Sequence, residues 1–195
     1  MTEAGVYHLF EETGALLSGH FILTSGLHSP NYFQCAKVLQ HPVHAEALGR
    51  ELATSLRARL GDVVPTVVVS PAVGGLIIGH EVARALGVRA IFAERQEGAM
   101  TLRRGFELDA EDIAVAVEDV TTTGGSVKEV VAMIGAMGAK VAAVGTLVDR
   151  SGGTITFDAP FAKLLTIDVT TYQADACPLC ESGSVAVKPG SRGMR

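Results

Sequence analysis

The residues with the plainest chemistry lie in one unbroken stretch, VAVEDVTTTGGSV, residues 115–127. An apolar run ends in two acids, Glu118 and Asp119, then passes through Val120 into Thr121, Thr122, Thr123, Gly124, Gly125 and Ser126. Ionised carboxylates are rarely placed at the mouth of a buried strand for packing reasons. Hydroxyls, free backbone N–H groups and the start of a following helix together favour a phosphate. Gly124 and Gly125 let the backbone approach it closely. Two acids beside such a cradle would repel a bare phosphate. They suit the hydroxyls of an attached sugar or a bound divalent cation, so the inferred ligand is a sugar phosphate carrying Mg²⁺. No Gly-Lys-Ser/Thr follows, which excludes a Walker P-loop, and the absence of G-x-G-x-x-G argues against a dinucleotide site. The plain alternative is that the acids only cap the next helix.

Two more loops have the same character: SPAVGG, residues 70–75, and DRSGG, residues 149–153. In an open parallel sheet ligands bind beyond the carboxyl ends of the strands, and three such loops on consecutive units reinforce one another. Arg95, Arg103 and Arg104 cluster in a glycine-containing segment and are candidates for substrate phosphate, against the alternative of solvated hairpin arginines. Cys177-x-x-Cys180 has the spacing of half a zinc site. No second pair accompanies it and the remaining cysteine is Cys35, so the two read as idle surface thiols ahead of a structural zinc or a redox pair. His28 is a candidate substrate contact; His20, His41, His44 and His80 read as structural. Met133 and Met137 read as core.

These loops need elements to hold them. TEAGVYHLFEETGALL carries Val6, Leu9, Phe10, Leu16 and Leu17 at helical spacing, with Gly19 as its stop. HFILTSGLHSPNYFQCAKVL reads as short strands around a Ser/Gly/His/Pro turn. Pro42 opens a helix that Gly61 closes, the proline standing where a missing N–H costs nothing. Strand, loop and helix then alternate. TVVVS is a strand, PAVGG a loop, LIIGHEVARAL a helix capped by Gly87, and VRAIFAE a strand. RQEGAMTLRRGFEL interrupts as a polar, mobile-looking insertion. DIAVAVED is a buried strand, VKEVVAMIGAMGAK a helix with Val127, Val130, Val131, Ile134 and Met137 on one face, and VAAVGTLVDR a strand. The tail from Thr171 reads as irregular and attached to the surface. Apolar strands alternating with amphipathic helices predict right-handed βαβ units and an α/β fold with a mostly parallel sheet.

The whole chain is consistent with this. It has 195 residues, 48% of them hydrophobic and 19% charged, enough for one domain with a substantial core and against disorder. The net charge of −5 and the lack of a clustered basic face argue against a nucleic-acid partner. The apolar runs are far shorter than a bilayer span and no signal peptide is visible. Three cysteines, an odd number, argue against a disulfide framework. The expectation is a soluble, cytoplasmic protein.

Residues 115–127 resemble the phosphoribosyl pyrophosphate signature of the type I phosphoribosyltransferases: an apolar strand, two acids, and a threonine- and glycine-rich phosphate loop. LTSGLHSPNYF, PAVGGLIIG, LVDRSGG and KPGSR resemble the orotate-using members of that family, so the likeness spans nearly the whole chain. It implies the type I phosphoribosyltransferase fold, helices flanking the sheet and an N-terminal hood. It further implies a single domain over 1–195, with a core over 42–170 and a hood formed by residues 1–40 and the C-terminal tail. Glu118 and Asp119 would hold the ribose hydroxyls, with Asp119 central to catalysis. Val120 and Thr121 through Ser126 would cradle the 5-phosphate. Ala72, Val73, Gly74 and Gly75 would form the pyrophosphate loop, where members often use a strained or cis peptide. Ser25, Tyr32, Thr122 and Arg150 would contact orotate. Arg95, Arg103 and Arg104 would lie on a mobile lid, the latter two as catalytic residues. Mg²⁺ would arrive with the substrate, with help from Glu118 and Asp119, and a homodimer would let one subunit's lid reach its neighbour. The chain departs from well-known enterobacterial and yeast-like members. Those carry a lysine where Gly74 stands, a lysine-rich lid that includes a histidine, and Lys-Ser where this chain has Thr24-Ser25. The implied reaction is phosphoribosyl transfer to orotate in pyrimidine synthesis. The alternatives are a purine-type transferase of the same family and a non-catalytic regulator that senses phosphoribosyl pyrophosphate.

Overall fold

The computed structural model describes residues 1–23, 26–167 and 170–188. Their order is α1 (Glu3–Glu12), β1 (Leu16–Ile22), β2 (His28–Phe33), α2 (Cys35–Leu39), α3 (Pro42–Leu60), β3 (Val67–Pro71), α4 (Gly75–Leu86), β4 (Arg89–Gln96), β5 (Ala99–Leu102), β6 (Ile113–Thr121), α5 (Gly125–Ala136), β7 (Lys140–Asp149), β8 (Phe161–Thr166) and α6 (Pro178–Glu181). Strands β1 and β2 form a separate antiparallel ribbon. The main sheet runs β5-β4-β3-β6-β7-β8, parallel throughout except for β5.

The sheet is buried because both faces are covered. Along β3, Val68 faces one apolar cluster with Phe10, Leu48, Leu52 and Leu56, supplied by α1 and α3 and joined by Ile78 and Val82 of α4. Val67 and Val69 face the other, built on Val127, Val130 and Ile134 of α5. Strand β6 splits the same way, Val115 and Val117 against Ala114 and Ala116. Alternation therefore persists inside a continuous apolar run, because side chains of a strand leave on opposite faces.

Several expectations change. The first helix stops at Glu12: Thr13 donates its hydroxyl back to Leu9 at 2.7 Å, and Gly14, at φ 63°, turns the chain. Leu16, Leu17 and Gly19 belong to β1 instead. The polar insertion contains a β4–β5 hairpin, its two-residue turn at Glu97 and Gly98 having φ values of 51° and 89°, which suits the twist of the strands. Strand β8 has too short an apolar pattern to announce itself, and sits at the sheet edge. Met137 caps α5 and is 38% exposed, so Met133 alone of that pair packs against the core. No helix among the described residues is long and apolar enough to cross a membrane.

Candidate active site

From β3 the chain proceeds through α4 to β4 on one side, and from β6 through α5 to β7 on the other. Their carboxyl ends are neighbours whose loops depart in opposite directions, which leaves a crevice between them. A cleft of about 990 Å³ opens there, lined by Val73 and Gly74 after β3, Asp119, Val120, Thr122 and Thr123 of the signature, Arg150 after β7, and Tyr32 of the hood. A socket of about 50 Å³ adjoins it, lined by Glu118, Val120, Thr121, Thr122, Gly124, Gly125 and Ser126. It lies at the start of α5, where backbone N–H groups have no intrahelical partner. Gly124 stands at φ 74°, a left-handed conformation that favours glycine, and a Cβ there would press on the Ile155 side chain. The Thr121 hydroxyl, beside the socket, is buried with no hydrogen-bond partner among the described residues.

Glu118 and Asp119 are enclosed together. Burial, then the neighbouring Asp119, push the Glu118 carboxyl up to about 9, and burial raises Asp119 as well. Two adjacent carboxylates out of water call for a cation or for hydroxyl donors. Asp119 Oδ1 accepts from the Val120 N–H at 2.9 Å, which fixes its side chain. Gly74 packs on the same carboxylate: a Cβ at Gly74 would lie 2.7 Å from Asp119 Oδ1. The loop after β3 and the acid of β6 thus need each other's shape. The Ala72–Val73 peptide is cis; Ala72 and Gly75 do not line the cleft.

Phe33, Tyr32 and Arg150 also line the cleft, and the Arg150 guanidinium lies 5.7 Å from the Phe33 ring centroid. Arg150 makes no ion pair among the described residues, and its Nε is buried without a partner. The adjacent Asp149 is already engaged by Lys163 at 2.7 Å and by the Ser151 hydroxyl at 2.6 Å. Burial lowers the Arg150 pKa, partly offset by Tyr32 and Cys35, but a guanidinium stays charged. Its backbone N–H donates to Thr121 at 2.8 Å, which ties this turn to the signature strand. Ser25 lies outside the described residues, as do Thr24 and most of KPGSR.

The lid arginines do not line the cleft. Arg104, at φ 61°, makes a two-pronged pair with Glu94, 2.9 and 3.0 Å, while Arg95 bonds Glu129 of α5 at 2.9 Å. Arg103, between them, takes no part in an ion pair among the described residues.

A family profile described as a phosphoribosyl transferase domain matches residues 37–177. The orotate phosphoribosyltransferase of Heliobacterium modesticaldum is 52% identical over 98% of this chain and all of its own length, and that of Pelotomaculum thermopropionicum is 53% identical over 98% and 99%. The chain belongs to the orotate phosphoribosyltransferase family. The crystal structure of orotate phosphoribosyltransferase from Aeropyrum pernix superposes with a TM-score of 0.68, at 22% identity over 83% of this chain and 93% of that one, and shares the fold.

For a phosphoribosyltransferase the arrangement holds residues that the sequence did not single out. Lys128, one turn into α5, lines the cleft and lies over the Phe157 ring at 5.9 Å. Its position four residues after Gly124 was a usable signal, since i and i+4 share a helix face. Ile155 and Thr156 enter from the stretch before β8, and nothing in their local sequence points to a site. Cys35 lies under the cleft, where burial first and Asp119 next hold it as a thiol. Two expectations fail. His28 does not line the cleft; its ring faces His20. Cys177 is buried, not a surface thiol.

Proposed function

We propose that the chain transfers the 5-phosphoribosyl group from phosphoribosyl pyrophosphate to orotate, giving orotidine 5′-monophosphate and pyrophosphate in de novo UMP synthesis. The observation that carries this is Arg150: a half-buried guanidinium with no carboxylate partner among the described residues, against an aromatic ring, lining a cleft that adjoins a phosphate-sized socket. Orotate supplies the missing carboxylate, and a guanidinium accepts it through paired hydrogen bonds. The 5-phosphate takes the socket, with Thr121 through Ser126 donating. Glu118 and Asp119 take the ribose hydroxyls, and the Ala72–Gly75 loop takes the pyrophosphate.

Hard oxygen donors that share a buried negative charge fit Mg²⁺, and Glu118 and Asp119 are the residues that would help hold it. When bound with the substrate, the ion offsets charge on the departing pyrophosphate. The chain's own part is positioning. Orotate attacks as an anion while the bond between ribose C1 and the pyrophosphate oxygen breaks, so no protein nucleophile is required. Asp119 faces the positive charge that develops on the ribose. The β4–β5 hairpin carries Arg103 and Arg104 toward the pyrophosphate on closure and excludes water. Residues 1–195 act as one unit in this reading, and a homodimer supplies a hairpin in trans. A reducing, cytoplasmic setting suits three thiols that form no disulfide.

Following the loss of orotate absorbance with phosphoribosyl pyrophosphate and Mg²⁺ tests this, with adenine, guanine and hypoxanthine as controls. Turnover of orotate alone is expected. Turnover of a purine base instead overturns the base assignment; binding of phosphoribosyl pyrophosphate with no turnover of any base makes the protein a sensor.

A further inference from the structure

Four side chains outside the cleft converge from three separate parts of the chain. His20 stands on β1, His28 opens β2, and Cys177 and Cys180 flank the start of α6. Their ligand atoms all lie within 4.8 Å of one another. His20 Nε2 is 2.8 Å from His28 Nδ1, 3.5 Å from Cys177 Sγ and 3.8 Å from Cys180 Sγ, and His28 Nδ1 is 3.4 Å from Cys180 Sγ. A tetrahedral zinc with bonds of about 2.0 Å to nitrogen and about 2.3 Å to sulfur separates its ligands by roughly 3.3–3.8 Å. The three sulfur–nitrogen distances already fall in that range. The two nitrogens sit at hydrogen-bond distance and need part by only about half an ångström for a cation to replace the shared proton.

A second observation fixes the chemistry of His20. Its Nδ1 lies 3.0 Å from the Ser184 carbonyl oxygen. A carbonyl only accepts, so Nδ1 carries the proton and Nε2 presents its lone pair to the cluster. This is the outer hydrogen bond that orients metal-bound histidines. His20, His28 and Cys177 are buried, at 5%, 7% and 1% exposure, while Cys180 closes the cluster from the solvent side. Two thiols and two imidazoles match zinc over harder cations.

We infer that His20, His28, Cys177 and Cys180 form a structural zinc site that clamps the C-terminal segment onto the hood. The site is closed, with four protein ligands and no open position, so its task is to hold the fold together. A two-stranded ribbon such as β1–β2 is marginal alone. Among the described residues its other ties to the C-terminal segment include backbone bonds, His28 with Tyr172, both at 2.9 Å, Ile22 to Val187 at 2.8 Å and Val187 to His20 at 2.9 Å, and the Ser29 hydroxyl, which donates to the Thr170 carbonyl at 3.0 Å. The turn between the two histidine-bearing strands carries Leu23 and Leu27, which roof the cleft. The metal therefore braces that roof from behind. The inference is independent of which base the cleft takes.

The full-length protein, purified without a histidine tag, should contain about one zinc per chain by elemental analysis. Protein stripped with a chelator and titrated with Co²⁺ should develop the visible bands of tetrahedral cobalt with a thiolate charge-transfer band, and re-added zinc should raise its Tm. Cys180→Ser, at the exposed ligand, is the variant least disruptive to folding. It should lose the charge-transfer intensity of one thiolate and bind zinc more than about 100-fold less tightly, since removing even an outer partner costs 10- to 100-fold. His28→Ala should behave alike. Stripped wild-type protein that takes up no stoichiometric zinc overturns the site. So does zinc uptake unchanged in both variants, or a Cys177–Cys180 disulfide in the native protein by mass spectrometry.

Discussion

Asp119 and Thr121 stand at the end of a strand buried from both faces of the sheet, paired with β3 as far as Ala116 and with β7 through Thr121, and Gly124 caps the helix that follows. Tyr32, Leu23 and Leu27 belong instead to a two-stranded ribbon anchored in the core at Phe33 and Leu16 and tied to the C-terminal segment by a few hydrogen bonds and the His20–His28–Cys177–Cys180 cluster. The first wall of the cleft is rigid because parallel strands cannot move separately. The second is assembled from segments far apart in the chain. The contrast suits a site that fixes a sugar phosphate and then admits a base beneath a roof. It also separates what local chemistry builds from what distant contacts build.

The largest effect should come from the rigid wall. Asp119→Asn removes a charged acceptor for two ribose hydroxyls, and two such bonds at ~1.5 kcal/mol or more lower kcat/KM by about 150-fold or more. Because the carboxylate is held out of water, Tm should not fall. Near-normal turnover would show that the ribose binds elsewhere.

Arg150→Lys probes where the two walls meet. Loss of a charged, two-pronged contact costs ~2–3 kcal/mol, roughly 30- to 150-fold in kcat/KM, expressed in KM for orotate with affinity for phosphoribosyl pyrophosphate spared. Asp149 is held by Lys163, so the melting temperature should stay the same. A lower Tm with unchanged orotate KM would make Arg150 a brace of the sheet.

The hairpin should matter less to binding than to turnover. Arg103→Ala should lower kcat by about tenfold or more while the affinity for phosphoribosyl pyrophosphate changes little, since contact is made only on closure. Arg104→Ala must also release Glu94, an exposed and weak pairing. If both variants keep wild-type kcat, the hairpin is not catalytic.

The last effect is on stability and leaves turnover aside. Glu118 and Asp119 hold protons more tightly in the folded chain than unfolded carboxyls do. The folded state therefore binds more protons from the ordinary carboxylate range up to about 9 for Glu118, and stability is greatest below that window and falls as pH rises through it. Melting curves of the ligand-free protein should show Tm declining from about pH 5 upward, and Glu118→Gln should flatten the decline. A flat wild-type profile would mean that water reaches the pair.

The strand end was legible in the sequence because its chemistry is local. An apolar run, two acids, three threonines and two glycines specify a strand, a turn and a helix start within thirteen contiguous residues, and a helix start binds anions wherever it occurs. The α3 and α4 boundaries were legible for the same reason, with Pro42, Gly61 and Gly87 acting on their own backbone. Tertiary structure alone decided the rest. The first helix ended early at Glu12, and the backbone turn at Gly14 outweighed the apolar spacing beyond it. Arg150 has no carboxylate partner among the described residues, and its neighbour Asp149 is engaged by Lys163, on a strand the patterning did not reveal. Cys177 and Cys180 looked like half a site because their partners, His20 and His28, lie 157 and 152 positions away along the chain. Spacing in sequence reports on neighbours within a turn of helix or a step of strand; groups joined by folding leave no periodicity, and only the packed chain brings them within reach of one another.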